Sequence, residues 1–126
     1  MEREILFRAK RVDNDEWVYG FYYNETSIES HSSDRKITRH HIYTQDFDKF
    51  VNAETLGQYT GLKDKNGTKI FEGDIIQFED GYTAYIEYKD CAFIFADSPV
   101  VPCYLGESAG EDLKVVGNIY DNKELL

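Results

Sequence analysis

The segment DKNGT at 64–68 places Asp64, Asn66 and Thr68 at alternate positions, the spacing at which a calcium loop offers its first oxygen ligands. Such a loop needs a glycine at its sixth position and a glutamate at its twelfth, and here those positions hold Lys69 and Ile75. A hairpin turn accounts for the same residues, with Asn66-Gly67 as the pair that takes positive φ. The histidines are His31, His40 and His41. Adjacent residues of a strand point to opposite faces, so His40 and His41 are not expected to share a metal. Cys91 and Cys103 lack the C-x-x-C spacing of a zinc site and are too few for a disulfide framework. Cys91, just before AFIFA, is expected to pack as a small hydrophobe. Glu72/Asp74 and Glu79/Asp80 are carboxylate pairs of the type used in glycosidic acid–base chemistry. In a chain with 24 acidic residues such pairs arise by coincidence, and solvated turns explain them. No phosphate-loop glycine pattern occurs, and the glycines at 57, 61, 67 and 73 are spaced like turns and bulges. The expectation is therefore no catalytic, cofactor-binding or metal-binding residue, and no cofactor.

The aromatic residues are the stronger signal. Trp17, Tyr19, Phe21 and Tyr23 fall on one face of an extended run, and Tyr82, Tyr85 and Tyr88 form a second group. Either group could stack on single-stranded bases or line a peptide groove. The net charge of −10 decides between them, because nucleic-acid affinity comes mainly from cations that neutralise phosphates. The basic clusters Arg8, Lys10, Arg11 and Arg35, Lys36, Arg39 are diluted by neighbouring carboxylates. Protein contact is the expected use of the aromatics, with no nucleic acid and no membrane partner. No stretch reaches about 18 apolar residues, and the start MEREILFRAK lacks an apolar signal core, which points to the cytoplasm.

Elements that would position these residues read mainly as strands. EILFRA (4–9) alternates, DNDE (13–16) turns, and WVYGFYY (17–23) alternates again, which predicts a β-hairpin. Gly20 inside the second run suggests a bulge or a ring packed closely over it. Residues 24–36 are polar and serine-rich and read as an exposed loop. DKFVNAETLG (48–57) is the best internal helix candidate, with Gly57 as its stop. Strands then follow around turns at DKNG, EDG and KDC, with LKVVGNIY (113–120) as the last. DNKELL closes as a helical turn capped by Asp121. The division expected is residues 1–57 as an N-terminal β-rich part and 58–126 as a small curled barrel.

The chain resembles the YopX-like family of phage and prophage proteins. The resemblance rests on REILFRA near the start, on T-x-G-Q-Y-T-G-L-K-D-K-N-G-x-x-I-x-E-G-D-I in the middle, and on V-V-G-N-I-Y-x-N-x-E-L-L at the end. Lys123 departs from the proline expected there in many members, which concerns the start of the last helical turn. The resemblance implies a mainly β fold with an SH3-type barrel and little helix, encoded by a phage or prophage and acting in the bacterial host. It implies no catalytic residues. The expected function is a non-enzymatic interaction module that associates with itself. The alternative is an acidic, DNA-mimicking inhibitor of a host DNA-binding protein, and an enzyme of unknown activity ranks third.

Overall fold

The computed structural model describes residues 4–29, 35–96, 103–104 and 113–126. The described residues are mainly β, in antiparallel sheets, and among them are two short 3-10 turns. The chain forms two compact units, one of residues 5–57 and one of residues 1–4 with 58–126.

In the first unit, β1 (Phe7–Lys10), β2 (Trp17–Glu29), β3 (Arg35–Tyr43) and β4 (Asp48–Phe50) lie in the order β4-β3-β2-β1. β2 pairs with β1 through Trp17–Gly20 and with β3 through Phe21–Glu29. The alternation read from the sequence sets one face: Ala9, Val18, Ile42 and Val51 are buried together, with Phe7, Tyr22 and Leu56 packed against them. The expected loop at 24–36 is instead mostly strand, since β2 runs to Glu29 and β3 begins at Arg35. Thr26 opposite Thr38 on one face and Glu25 opposite Arg39 on the other are exposed, so this is a ribbon solvated on both faces. Such a ribbon carries no burial alternation, which is why it read as a loop. Residues 30–34, including His31, lie outside the described residues.

The helix expected at 48–57 does not form. Residues Asp48–Phe50 pair with β3, and only Ala53–Thr55 make a 3-10 turn, capped by the Asn52 side chain. The apolar spacing there reflects strand positions: Val51 is buried in the core while Phe50 faces outward.

In the second unit, β5 (Gly57–Lys63) pairs with β6 (Lys69–Phe71). β7 (Asp74–Phe78), β8 (Thr83–Lys89), β9 (Ala92–Ala96), β10 (Cys103–Tyr104) and β11 (Leu113–Asn118) form a sheet ordered β10-β9-β8-β7-β11. Ile70, Ile76, Ala84, Ile86, Phe95 and Leu113 make its core.

Turn chemistry corrects two expectations here. Gly67 has φ of +81°, but Asn66 is not in the left-handed region. Residues Asp64–Thr68 close by Gly67 N–H to Asp64 O and Asp64 N–H to Thr68 O, a three-residue loop rather than a two-residue one. The pair with both φ values positive is Asp90-Cys91, between β8 and β9. Cys91 sits at this tip and is exposed, so it does not pack as a core hydrophobe. Asp121 does not cap the final 3-10 turn: Asn122 is the cap residue and makes no capping bond, its Oδ1 accepting from Asn118 N–H instead.

Space around Gly67 is open, so backbone strain alone determines the cost of a side chain there. Gly67→Val is expected to destabilise the fold by roughly 1–3 kcal/mol. Thermal melting beside Ser27→Ala, an exposed control, measures it, and equal melting temperatures would remove this account of the turn.

Candidate functional site

Cross-strand partners share a face of a sheet, so register alone assembles the surface opposite the core of the first unit. Tyr23 of β2 stands opposite His41 of β3, and His41 opposite Phe50 of β4. Phe21 stands opposite Tyr43, and Glu25 opposite Arg39. At the β1 end, Tyr19 is opposite Arg8 and Trp17 opposite Lys10, whose ammonium and the Arg8 guanidinium both lie over the Trp17 ring, at 5.6 and 4.8 Å. The result is an aromatic face that solvent reaches: Phe21 is 63% exposed and Phe50 54%, with Tyr19, Tyr23 and Tyr43 also exposed.

Alongside Arg8, at 6% exposure, the buried side chain on this face is His41, at 5%. Its ring stacks on Tyr23 at 4.4 Å and meets Phe50 at 4.6 Å. Nε2 lies 3.0 Å from Glu25 Oε1 and Nδ1 lies 3.2 Å from Asp48 Oδ1. A carboxylate only accepts, so an imidazolium satisfies both contacts while a neutral ring donates to one. Tyr23 O–H donates to the other oxygen of Asp48. That bond, with burial and the charges of Asp48 and Glu25, pushes the Tyr23 hydroxyl up to about 12. The network ties β2, β3 and β4 together beneath the aromatic rings. With rings on its faces and carboxylates at both nitrogens, His41 is placed to orient the surface.

His40 points the other way, as strand geometry requires, and its Nδ1 lies 2.6 Å from Tyr22 Oη. The other residues weighed from sequence do not converge. Asp64 is turned inward, its Oδ1 accepting from Asn66 and Thr68 N–H and its Oδ2 from Val115 N–H. Its oxygens are thereby used by the protein rather than offered to a cation. Asp74 is buried and accepts from Phe71 N–H, whereas Glu72 is half-buried; burial, with a smaller push from Glu87, raises the Glu72 carboxyl. Glu79 and Asp80 are exposed in the turn before Tyr82. Tyr82, Tyr85 and Tyr88 form no single platform: Tyr85 and Tyr88 are on opposite faces of β8, and Tyr88 packs edge-on to Phe93 at 5.2 Å. Among the described residues no cluster of three or more His, Cys, Asp or Glu side chains is arranged to hold a metal ion. The side chain of Cys103 lies outside the described residues. No helix among them is long and apolar enough to cross a membrane.

Sequence reasoning found Trp17, Tyr19, Phe21 and Tyr23 but did not join to them Tyr43, Phe50 and His41, the last weighed only as a metal ligand, and it missed Glu25 and Asp48. The signal for the first three was alternation in HHIY and in KFV, obscured in KFV by the helix reading of 48–57.

Comparison with known proteins adds kinship. The family model described as YopX protein matches residues 6–126. A crystal structure of protein EF1440 from Enterococcus faecalis is similar at 25% sequence identity and a TM-score of 0.57, covering 99% of each chain. No curated protein matches.

Proposed function

Since the chain belongs to the YopX family over residues 6–126, we propose that it is a non-enzymatic protein-interaction module, phage- or prophage-encoded, that associates with further copies of itself in the bacterial cytoplasm. The observation that supports this is the aromatic face of β2, β3 and β4, where Phe21, Tyr43 and Phe50 stand in solvent on a rigidly tied support. Contiguous exposed apolar surface of this kind usually marks an association site. The face also carries charges of both signs, Glu25 and Asp48 with Arg39 and Lys10, so a two-fold related copy can present opposite charges to it. The second unit is read as an SH3-type barrel rather than a catalytic centre.

Light scattering after size exclusion, across about a hundredfold dilution, is the test. The protein is expected to elute as an oligomer at micromolar concentration. Phe21→Glu with Tyr43→Lys should give a folded monomer, because both side chains are exposed and the new charges, directly opposite one another, are of opposite sign. A strict monomer at the outset, or a double variant with the wild-type mass, rejects this reading.

A further inference from the structure

β3, RKITRHHIY, is unusual in so acidic a chain: it holds Arg35, Lys36, Arg39 and two histidines and no carboxylate. Backbone hydrogen-bonding groups along a strand alternate between its two neighbours. Val51 N–H donates to His40 O at 2.9 Å and Thr44 N–H to Phe47 O at 2.8 Å, so the even-numbered residues of β3 face β4. Beyond Val51 the chain leaves this edge, because Asn52 N–H turns to Lys10 O. Thr38 and Lys36 are the next residues whose N–H and C=O point outward, and among the described residues no backbone group pairs with them there. Arg35, Lys36, Thr38 and Arg39 are all exposed. Where β4 departs, a cleft of about 300 Å³ opens, lined by Val12, Thr38, Arg39, His40, Phe50 and Val51.

We propose that this open edge receives an extended acidic segment of another protein, added as a strand beside Lys36 and Thr38, with one apolar side chain seated in the cleft against Val12, Phe50 and Val51. Main-chain bonds to an exposed edge supply affinity in this mode, and the adjoining pocket supplies selectivity. Charge selects the occupant. A second copy pairing antiparallel through β3 about Ile37 would set Arg35 directly against the copy's Arg39, and like charges directly opposite one another are destabilising. Glutamate or aspartate on the incoming strand meets Arg35 and Arg39 when it lies on one face of the sheet and Lys36 when it lies on the other. This goes beyond self-association through the aromatic face; the two surfaces share Phe50 and Arg39, but the backbone of Lys36 and Thr38 belongs to the edge alone, so Thr38→Pro separates the two readings.

The probe is a fluorescein-labelled peptide of alternating valine and glutamate with one leucine, against the same peptide with lysine for glutamate. Anisotropy should show the acidic peptide binding at least about tenfold more tightly, a preference that shrinks as salt rises. Amide exchange should slow at Lys36 and Thr38 on binding. Thr38→Pro removes the outward N–H and leaves the backbone pairing with β2 in place, losing there only the exposed Thr26–Thr38 hydroxyl bond, so it should weaken the acidic peptide about tenfold or more. Lys36→Glu with Arg39→Gln alters only exposed side chains and gives a second, independent loss should the proline variant not fold. Equal affinity for the two peptides, no binding at millimolar peptide, or unchanged binding by the folded Thr38→Pro or by the charge variant overturns the proposal.

Discussion

Replacing Asp64 by alanine is expected to lower stability by about 3 kcal/mol, because it strips three backbone N–H donors of one partly buried acceptor. The carboxylate is 6% exposed and does two jobs. Oδ1 accepts from Asn66 and Thr68 N–H and shapes the 64–68 loop, while Oδ2 accepts from Val115 N–H and ties that loop to β11. Asp64→Asn separates these roles. Its oxygen can retain the loop bonds, but its NH2 group then faces the Val115 N–H, donor against donor. A loss of about 1–2 kcal/mol is expected for asparagine, from urea unfolding. An asparagine variant as stable as the wild type would show that the tie to β11 contributes nothing.

The same carboxylate gives the prediction a pH dependence with a definite sign. Burial opposes its charge, but the N–H groups of Val115, Thr68 and Asn66 outweigh burial, with a smaller attraction from Lys65, and hold it below its ordinary value of 3.8. A group lowered in the folded state contributes stability that is fully present above its unfolded value and is lost as pH falls through its folded value. The gap between wild type and Asp64→Asn should therefore be constant near neutral pH and close below pH 3.8. A gap that persists unchanged into acid would mean that the charge is not what the N–H groups hold.

Legibility from sequence followed burial. Where one face of a strand is buried, alternation was visible: Ala9, Val18 and Ile42 in the first unit, Ala84 and Ile86 in the second. Turns with a glycine at positive φ, at Gly67 and Gly81, were visible for the same local reason. The ribbon formed by the outer halves of β2 and β3 was not, because nothing there is buried and polar β-branched residues look alike in loops and in solvated strands. Asp90-Cys91 was identified as a turn, yet its pair of positive φ values was assigned to Asn66-Gly67, since residue preference favoured the glycine. The aromatic face was half legible. Alternation in β2 gave Tyr19, Phe21 and Tyr23, but Tyr43 and Phe50 join them only through register with β3 and β4, which is a long-range property. His41 between Glu25 and Asp48 depends on the same register and has no local sequence mark.

Gly20→Ala is expected to destabilise the protein by about 3 kcal/mol, near the upper end for overpacking, because the obstruction is backbone. The sequence suggested a bulge or a ring over this glycine, and the structure shows a different constraint. Gly20 is the residue at which β2 passes from pairing with β1 to pairing with β3. A Cβ there would lie 2.2 Å from the Tyr43 carbonyl oxygen and 3.0 Å from Thr44 Cγ2. A flexible side chain could move aside, but the Tyr43 carbonyl belongs to β3, the strand that carries His41 and Tyr43 on the aromatic face. Relief therefore requires β3 to retreat from β2, which loosens the contacts of Tyr23 with His41 and of His41 with Glu25. The variant should lose stability and, under conditions where it remains folded, associate more weakly than the wild type, while Ser27→Ala on the same strand leaves both within experimental error. Melting and light scattering on the same samples give the two readouts. A Gly20→Ala protein that melts and associates like the wild type would show that β2 and β3 can separate here without cost, and that the close approach at Tyr43 does not support the aromatic face.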